Sequence, residues 1–383
     1  MTQNRCTFCE GELIDAPKLL NFGFLPITSV YENDTVQELS YVVCSDCGVA
    51  QSLYPENENV LYGEGYNFFS GQSNQFEVYS KKLSQYIEAV IGPIFDKSLL
   101  EIGCNDGVFL SKVNTAKKIG IEPSISAFKI AKNAGLNVIN EFFSQKCVEI
   151  NNLSNSFDLV VSLNVISHVT NISDYLESIH DCLKVGGYLT IEMVNYDSIL
   201  KHSKFEYFYH GVQNLFLPSQ LVSFFKANYQ LVSESVGHDP FSIVLILKKV
   251  RNTKPNNPLV NFDFNEISYQ DRLDEWVGNI NDFFINFSEK KVAGYAANSK
   301  AGMVLLLCQE AEKHVQLIFD INPSKQGHFL TKKTKQTIAA PQLDALNKFD
   351  IIILFADHLY DEVNKFLRES GFIGYLLRLP NVA

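Results

Sequence analysis

Ser98-Leu99-Leu100-Glu101-Ile102-Gly103-Cys104-Asn105-Asp106-Gly107-Val108-Phe109-Leu110 opens on a short apolar run, turns on two glycines and closes on an apolar-periodic segment. That order reads as strand, tight turn, helix. Gly103 and Gly107 let the backbone pass close to a ligand where a Cβ would clash. Glu101 and Asp106 place carboxylates at the turn, with Asn105 beside them. Such a turn repels a phosphate and welcomes a cationic or hydroxyl-bearing ligand. The Glu-x-Gly-x-x-x-Gly spacing differs from the dinucleotide Gly-x-Gly-x-x-Gly pattern and from the P-loop, and it carries no lysine for phosphate.

Working outward, Lys118-Ile119-Gly120-Ile121-Glu122-Pro123-Ser124 reads as the next strand. A carboxylate about 20 residues past the glycine turn is placed to accept both hydroxyls of a ribose. Pro123 cannot continue a ladder, so the strand stops there. The plainer alternative is any doubly wound fold, with Glu122 a solvated strand end. The two stretches together resemble the first motifs of class I S-adenosylmethionine methyltransferases. The resemblance implies that this cofactor's ammonium and sulfonium lie at the acidic turn.

The chain has 383 residues, enough for two or three domains with sizeable cores. Its net charge of −11 argues against nucleic acid or an anionic membrane surface as partner. No basic-apolar leader opens it, and no apolar run approaches a membrane span. Four of the eight cysteines form two Cys-x-x-Cys motifs and four are scattered. In a long chain of this kind the pattern points to a reducing cytoplasm.

Residues 1–60 read as a zinc-binding module. Cys6-Thr7-Phe8-Cys9 and Cys44-Ser45-Asp46-Cys47 are the usual pair of knuckles for a tetrahedral Zn(Cys)4 site. No histidine lies nearby to suggest an open catalytic position, so the metal is expected to be structural. Tyr62 to Phe76 is aromatic and rich in Gly and Ser. It reads either as a loop covering a ligand, with Tyr66 and Phe69 among its rings, or as a plug between domains. A helix is expected from Asn74 to about Val90.

Residues 61–250 then alternate strand and helix, which implies a parallel sheet with ligands at its carboxyl ends. Strands are expected at Ser98–Ile102, Lys118–Glu122, Asn137–Ile139, Phe157–Leu163, Tyr188–Met193 and Ser242–Lys248. Phe142 and Phe143, after the third, suit an adenine ring. Asn164 to His168 follow the fourth, where the cofactor's reactive end belongs. Past the fifth, Phe205-Glu206-Tyr207-Phe208-Tyr209-His210-Gly211-Val212 gathers tyrosines, a histidine and a carboxylate. His238 precedes the last strand. The fold class is therefore α/β, with a central Rossmann-like domain.

Arg251 to Pro258 reads as a linker into residues 251–383, a second small α/β Rossmann-like domain. An amphipathic helix is expected there from Ile267 to about Lys290. Lys291 to Gly302 repeats the strand–turn–helix theme without the acids, and Lys300 at its helix start suits an anion such as a diphosphate. Strands recur at Val315–Phe319 and Asp350–Phe355.

Nearly the whole length resembles the three-domain bacterial sugar C-methyltransferase family. The matching features are the paired knuckles, Leu20-Asn21-Phe22-Gly23-Phe24-Leu25-Pro26, Glu101–Gly107 with Gly120–Ser124, Asn164–His168, Gly294–Lys300, and Asp320-Ile321-Asn322-Pro323-Ser324-Lys325-Gln326-Gly327. The resemblance implies transfer of a methyl group to a nucleotide-linked keto-deoxysugar, in surface-polysaccharide or natural-product sugar biosynthesis. It implies that Glu101, Gly103, Asn105, Asp106, Gly107, Glu122, Phe142, Phe143 and Asn164 hold S-adenosylmethionine. It sets Tyr66, Phe69, Tyr79, His238, Tyr295, Lys300 and Lys325 around the substrate, and His210, Tyr209 and His168 at the chemistry. Oligomeric state is left open, monomer included.

One departure matters. The family's Tyr-His-Glu-His stands here as Tyr209-His210-Gly211-Val212, and a usual histidine is Tyr79. A sugar carbon becomes a nucleophile only after losing a proton, which needs a base and an enolate stabiliser. A hydroxyl needs the base alone, and a neutral amine needs neither. O- or N-methylation therefore stands as an alternative, as does a cofactor-binding scaffold without catalysis.

Overall fold

The computed structural model describes residues 3–27, 35–63, 66, 68–253 and 269–380. Two compact units divide the chain. The first comprises Met1–Pro17, Val42–Tyr196 and Gln213–Asp263; the second comprises Lys18–Tyr41, Asp197–Val212 and Phe264–Ala383. The expected linker lies outside the described residues beyond Thr253, as do Glu64, Gly65 and Asn67 of the aromatic loop.

The first unit holds a seven-stranded sheet. Its strands are β1 (Ser98–Ile102), β2 (Lys117–Ile121), β3 (Val138–Ile139), β4 (Phe157–Leu163), β5 (Leu183–Val194), β6 (Tyr229–Val236) and β7 (Ser242–Lys249), in the order β6-β7-β5-β4-β1-β2-β3. β3 to β5 are parallel neighbours through β2, β1 and β4. The strand order reverses between β1 and β4, so the carboxyl ends of those strands form the switch point where α/β sheets take ligands.

The apolar runs in these strands follow from burial on both faces. Leu100, Ile102, Val160 and Ile191 join one core, while Leu99, Leu159, Val161 and Ile246 join the other, alternating with the pleat. Leu83 and Ile87 of the helix Asn74–Ile91 enter the second core. Ser73 caps that helix by accepting from the Phe76 N–H. The cysteine knuckles enter the first: Phe8 packs its ring on Phe216 (5.3 Å) and Phe224 (5.5 Å).

The sheet is not wholly parallel. β7 runs antiparallel to both β5 and β6, and β6 was not expected from the sequence. Its exposed alternation, with Leu231 and Val232 both solvated, carries little apolar signal. The reversal has a consequence for the site. Ser242 pairs with Val194, so the start of β7 lies at the carboxyl end of the parallel strands. His238 therefore sits at the ligand end, where a parallel β7 would have put it at the opposite edge.

The second unit holds a five-stranded parallel sheet. Its strands are β8 (Val292–Tyr295), β9 (Val315–Phe319), β10 (Thr337–Ala339), β11 (Ile351–Leu354) and β12 (Tyr375–Arg378), in the order β10-β9-β8-β11-β12. The helix Tyr269–Ile285 buries Trp276, whose ring meets Phe205. Among the described residues no helix is long and apolar enough to cross a membrane.

Candidate functional site

The glycine turn leaves β1 in a conformation that side chains resist. Gly103 has φ +66° and Gly107 φ +83°, and Asn105 between them is also left-handed at +51°. The Gly103 and Cys104 N–H groups donate to the Ile121 carbonyl at 2.8 and 3.0 Å, tying the turn to the end of β2. Gly107→Ala should cost about 1–2 kcal/mol from the left-handed backbone alone. Its added Cβ would also press on Leu136, 2.2 Å away, so a lowered Tm and weakened cofactor binding are expected together.

Three carboxylates converge here. Glu122 accepts the Asn105 N–H (2.9 Å) on one oxygen and the Ser124 N–H (2.8 Å) on the other. Each oxygen keeps a second lone pair, which is what a ribose diol requires. Burial pushes its pKa up to about 7. Glu101 is buried, and burial with Glu122 and Asp106 nearby drives its carboxyl well above the usual range. Among the described residues, Glu101 Oε2 and Asp106 Oδ1 are buried acceptors with no hydrogen-bond donor. Such orphaned acceptors are costly. A cationic group in the turn would satisfy both, which is the fit that the methionine end of the cofactor offers.

The aromatic segment docks on this turn through main-chain groups. The Ser70 N–H donates to Asn105 Oδ1 (3.0 Å) and the Gly71 N–H to Asp106 Oδ2 (2.8 Å). Asn105 Nδ2 donates back to the Phe68 carbonyl (3.1 Å). Further along, Ser126 Oγ donates to the Tyr66 carbonyl (2.8 Å), and the Tyr62 ring meets His168 edge-on at 5.8 Å. Upstream, Glu58 accepts from the Thr170 N–H and hydroxyl. The segment is thus strapped across the carboxyl ends of β1, β2 and β4. Phe69 within it is half-buried.

The remaining candidates of this unit divide. Asn164 leaves β4 with φ +57°, its N–H donating to the Glu192 carbonyl (2.8 Å). Phe142 is half-buried, while Phe143 packs edge-on against Tyr175 of the core. Tyr79 donates its hydroxyl to Glu192 Oε2 at 2.7 Å, and its ring lies 5.2 Å from that of His238. Glu192 was missed by sequence reasoning. Its one signal is an acid inside the apolar strand Leu189-Thr190-Ile191-Glu192-Met193.

Tyr209 and His210 belong to the second unit. His210 is buried, with Nε2 3.2 Å from the Gln37 carbonyl. Burial pushes the Tyr209 phenol up to about 12. Tyr41 donates its hydroxyl to the Val212 carbonyl (2.9 Å), and the Val212 side chain is packed away from solvent. Lys300 sits over the Tyr207 ring at 3.3 Å. Lys325 donates to Asp320 (3.1 Å) and the Ala297 carbonyl (2.8 Å). Tyr295 is buried in the core of its sheet.

The four knuckle cysteines come together in the first unit. Their sulfur atoms all lie within 4.8 Å of one another, with Cys6–Cys47 at 3.6 Å and Cys9–Cys44 at 3.5 Å. A tetrahedron with metal–sulfur bonds near 2.3 Å has edges of roughly 3.8 Å, so the cluster has the dimensions of a tetrathiolate metal site. The Phe8 N–H and Gln51 Nε2 both donate to Cys6 Sγ, which suits a thiolate.

Comparison with known proteins agrees with this architecture. Residues 64–234 match a methyltransferase domain family, and residues 265–374 match the C-methyltransferase C-terminal domain. The C-methyltransferase NovU of Streptomyces niveus is 22% identical over 398 aligned residues, covering 96% of this chain and 94% of that protein. A ubiquinone biosynthesis O-methyltransferase of Shewanella halifaxensis is 27% identical over 116 residues, covering 29% of this chain and 49% of that one. Among solved structures, the PH0226 protein from Pyrococcus horikoshii OT3 aligns with 48% of this chain and 94% of its own, at 10% identity and a TM-score of 0.38. The chain is thus a methyltransferase that carries both a methyltransferase domain and a C-methyltransferase C-terminal domain, and along nearly its full length it is similar to a C-methyltransferase.

Proposed function

We propose that the protein methylates a carbon of a nucleotide-linked keto-deoxysugar, in the cytoplasm, as a step in building a modified sugar. The observation that carries the cofactor side is the pair of orphaned buried oxygens, Glu101 Oε2 and Asp106 Oδ1, beside Glu122. When bound, S-adenosylmethionine supplies an electrophilic methyl group. Gly103, Asn105 and Gly107 shape the turn for its methionine end, Glu122 takes the ribose hydroxyls, and Phe142, Phe143 and Asn164 flank the adenine and the reactive end. The strap carrying Tyr66 and Phe69 keeps water from the site.

For the substrate, the family resemblance assigns His168 in the first unit and, taken separately, Tyr209, His210, Lys300 and Lys325 in the second; Tyr295, buried in the core of its sheet, is not retained. The family resemblance supports this division, with residues 1–60, 61–250 and 251–383 as its three parts. Cys6, Cys9, Cys44 and Cys47 hold one structural Zn²⁺. A mass-spectrometric screen with keto- and amino-sugar nucleotides tests the reading. Methyl transfer to a keto-sugar nucleotide is the expected result. Transfer only to amino-sugars would move the acceptor to nitrogen. Tight cofactor binding with no transfer to any of them would leave a scaffold.

A further inference from the structure

Glu192 is fully buried near the end of β5, between the apolar Ile191 and Met193. An ionised carboxylate there is costly unless its lone pairs are filled. Three donors fill them. The Tyr79 hydroxyl donates to Oε2 (2.7 Å), while the His238 N–H (2.7 Å) and the Ser242 hydroxyl (2.9 Å) donate to Oε1. The strand entry is shaped around this group. A Cβ on Gly237 would stand 2.5 Å from Glu192 Oε1 and 2.2 Å from Ser242 Oγ.

A network serving only the core would be closed on every side. This one opens through Tyr79, which is half-buried on the helix that follows the strap. Its ring lies between Phe76 (6.1 Å) and His238 (5.2 Å). Because its proton is given to Glu192, the phenol oxygen offers only lone pairs to anything else that approaches. The pair stands at the carboxyl end of β5, next to the Asn164 turn that ends β4. Val212 is an apolar core residue and takes no proton.

We propose that Tyr79 and Glu192 are the proton-accepting pair of the reaction, with Tyr79 touching the acceptor and Glu192 a positioning residue acting through it. The inference rests on the keto-sugar reading above. The proton on the carbon beside the ketone moves to the Tyr79 oxygen as the Tyr79 proton moves to Glu192 Oε2. The electron pair left on carbon delocalises into the ketone and then forms the new bond to the methyl group, whose former bonding pair stays on sulfur. The proton leaves Glu192 for water after product release. Burial and the Glu192 charge push the Tyr79 phenol well above its usual value, so it passes the proton on rather than resting as phenolate.

The test follows proton exchange and methyl transfer separately. Wild-type protein with S-adenosylhomocysteine is incubated in D2O with a nucleoside-diphosphate 4-keto-6-deoxyhexose, and deuterium uptake beside the ketone is read by mass spectrometry. Methyl transfer is read with S-adenosylmethionine. Tyr79→Phe is expected to slow both by about 10²- to 10⁴-fold, with S-adenosylhomocysteine affinity unchanged. Glu192→Gln should slow both while leaving S-adenosylhomocysteine affinity and the substrate KM in place, a kcat-against-KM split that a merely structural role would not give. Should Glu192→Gln fail to fold, Tyr79→Phe decides alone, since it removes only a hydroxyl. Exchange by Tyr79→Phe within about threefold of wild type, well short of a general-base effect, overturns the pair. So does loss of exchange in His210→Asn with exchange retained in Tyr79→Phe. A wild type that neither exchanges nor methylates keto-sugar nucleotides overturns the sugar reading and the pair with it.

Discussion

Glu122→Ala is expected to weaken S-adenosylhomocysteine binding at least tenfold. If Glu122 takes the ribose as proposed, the substitution removes two charge-assisted hydrogen bonds to it, each typically worth ~1.5–3 kcal/mol. It also strands the Asn105 and Ser124 N–H groups that Glu122 now accepts, so the turn loosens as well. Glu122→Gln separates the two effects, because it keeps the shape and one acceptor while losing the charge. The pH dependence has a definite sign. Burial raises the folded-state pKa of Glu122 to about 7, above its unfolded value, so its contribution to stability is greatest in acid and is lost as pH rises through about 7. Ribose hydroxyls favour the ionised form, so cofactor affinity should run the other way. It should rise with pH through about 7 and level off above. Burial, with Glu122 and Asp106 nearby, raises the Glu101 pKa, and an ammonium arriving beside it should lower that pKa again and favour release of a proton. Calorimetry in buffers of different ionisation enthalpy reads that proton. Affinity independent of both Glu122 and pH would mean that the ribose lies elsewhere.

Cys44→Ser, or removal of metal by a strong chelator, is expected to lower the melting temperature by about 6–12 °C. Structural zinc contributes ~10–16 kcal/mol of apparent binding free energy in small zinc domains. Even a third of the lower figure, about 3 kcal/mol, corresponds to that shift at ~2–4 °C per kcal/mol for a unit of this size. The loss should spread beyond the knuckles. Phe8 lies in the same buried cluster as Phe216 and Phe224, and the Ser173 N–H donates to the Thr7 carbonyl. Metal analysis of protein purified without chelators should give one zinc per chain. Absence of zinc together with an unchanged melt on chelation would refute the assignment.

How much of this was legible beforehand depended on where the signal resides. β1 and β4 were expected with the ends they have, and β2 within one residue, because short apolar centres such as Leu99-Leu100 and Leu159-Val160-Val161, buried on both faces, stand between turn residues. The glycine turn and Glu122 were legible because backbone conformation and charge both speak through residue type. β6 was not, since its exposed side chains alternate without an apolar face. The docking of the strap was also invisible. Its partners are the main-chain N–H groups of Ser70 and Gly71, and no residue type announces a main-chain donor. Tyr79 and His238 drew notice separately, but Glu192, which joins them, lay inside an apolar run and became visible only through its three donors.

One measurement bears most directly on methylation of a sugar carbon. The protein is incubated with S-adenosylmethionine carrying a ¹³C-methyl group and a nucleoside-diphosphate 4-keto-6-deoxyhexose, and the product is read by carbon NMR. A labelled methyl resonance far upfield of any O- or N-methyl, coupled to a ring carbon of the sugar, is the expected result. A label found on oxygen, or no transfer despite tight binding of S-adenosylhomocysteine, would contradict it.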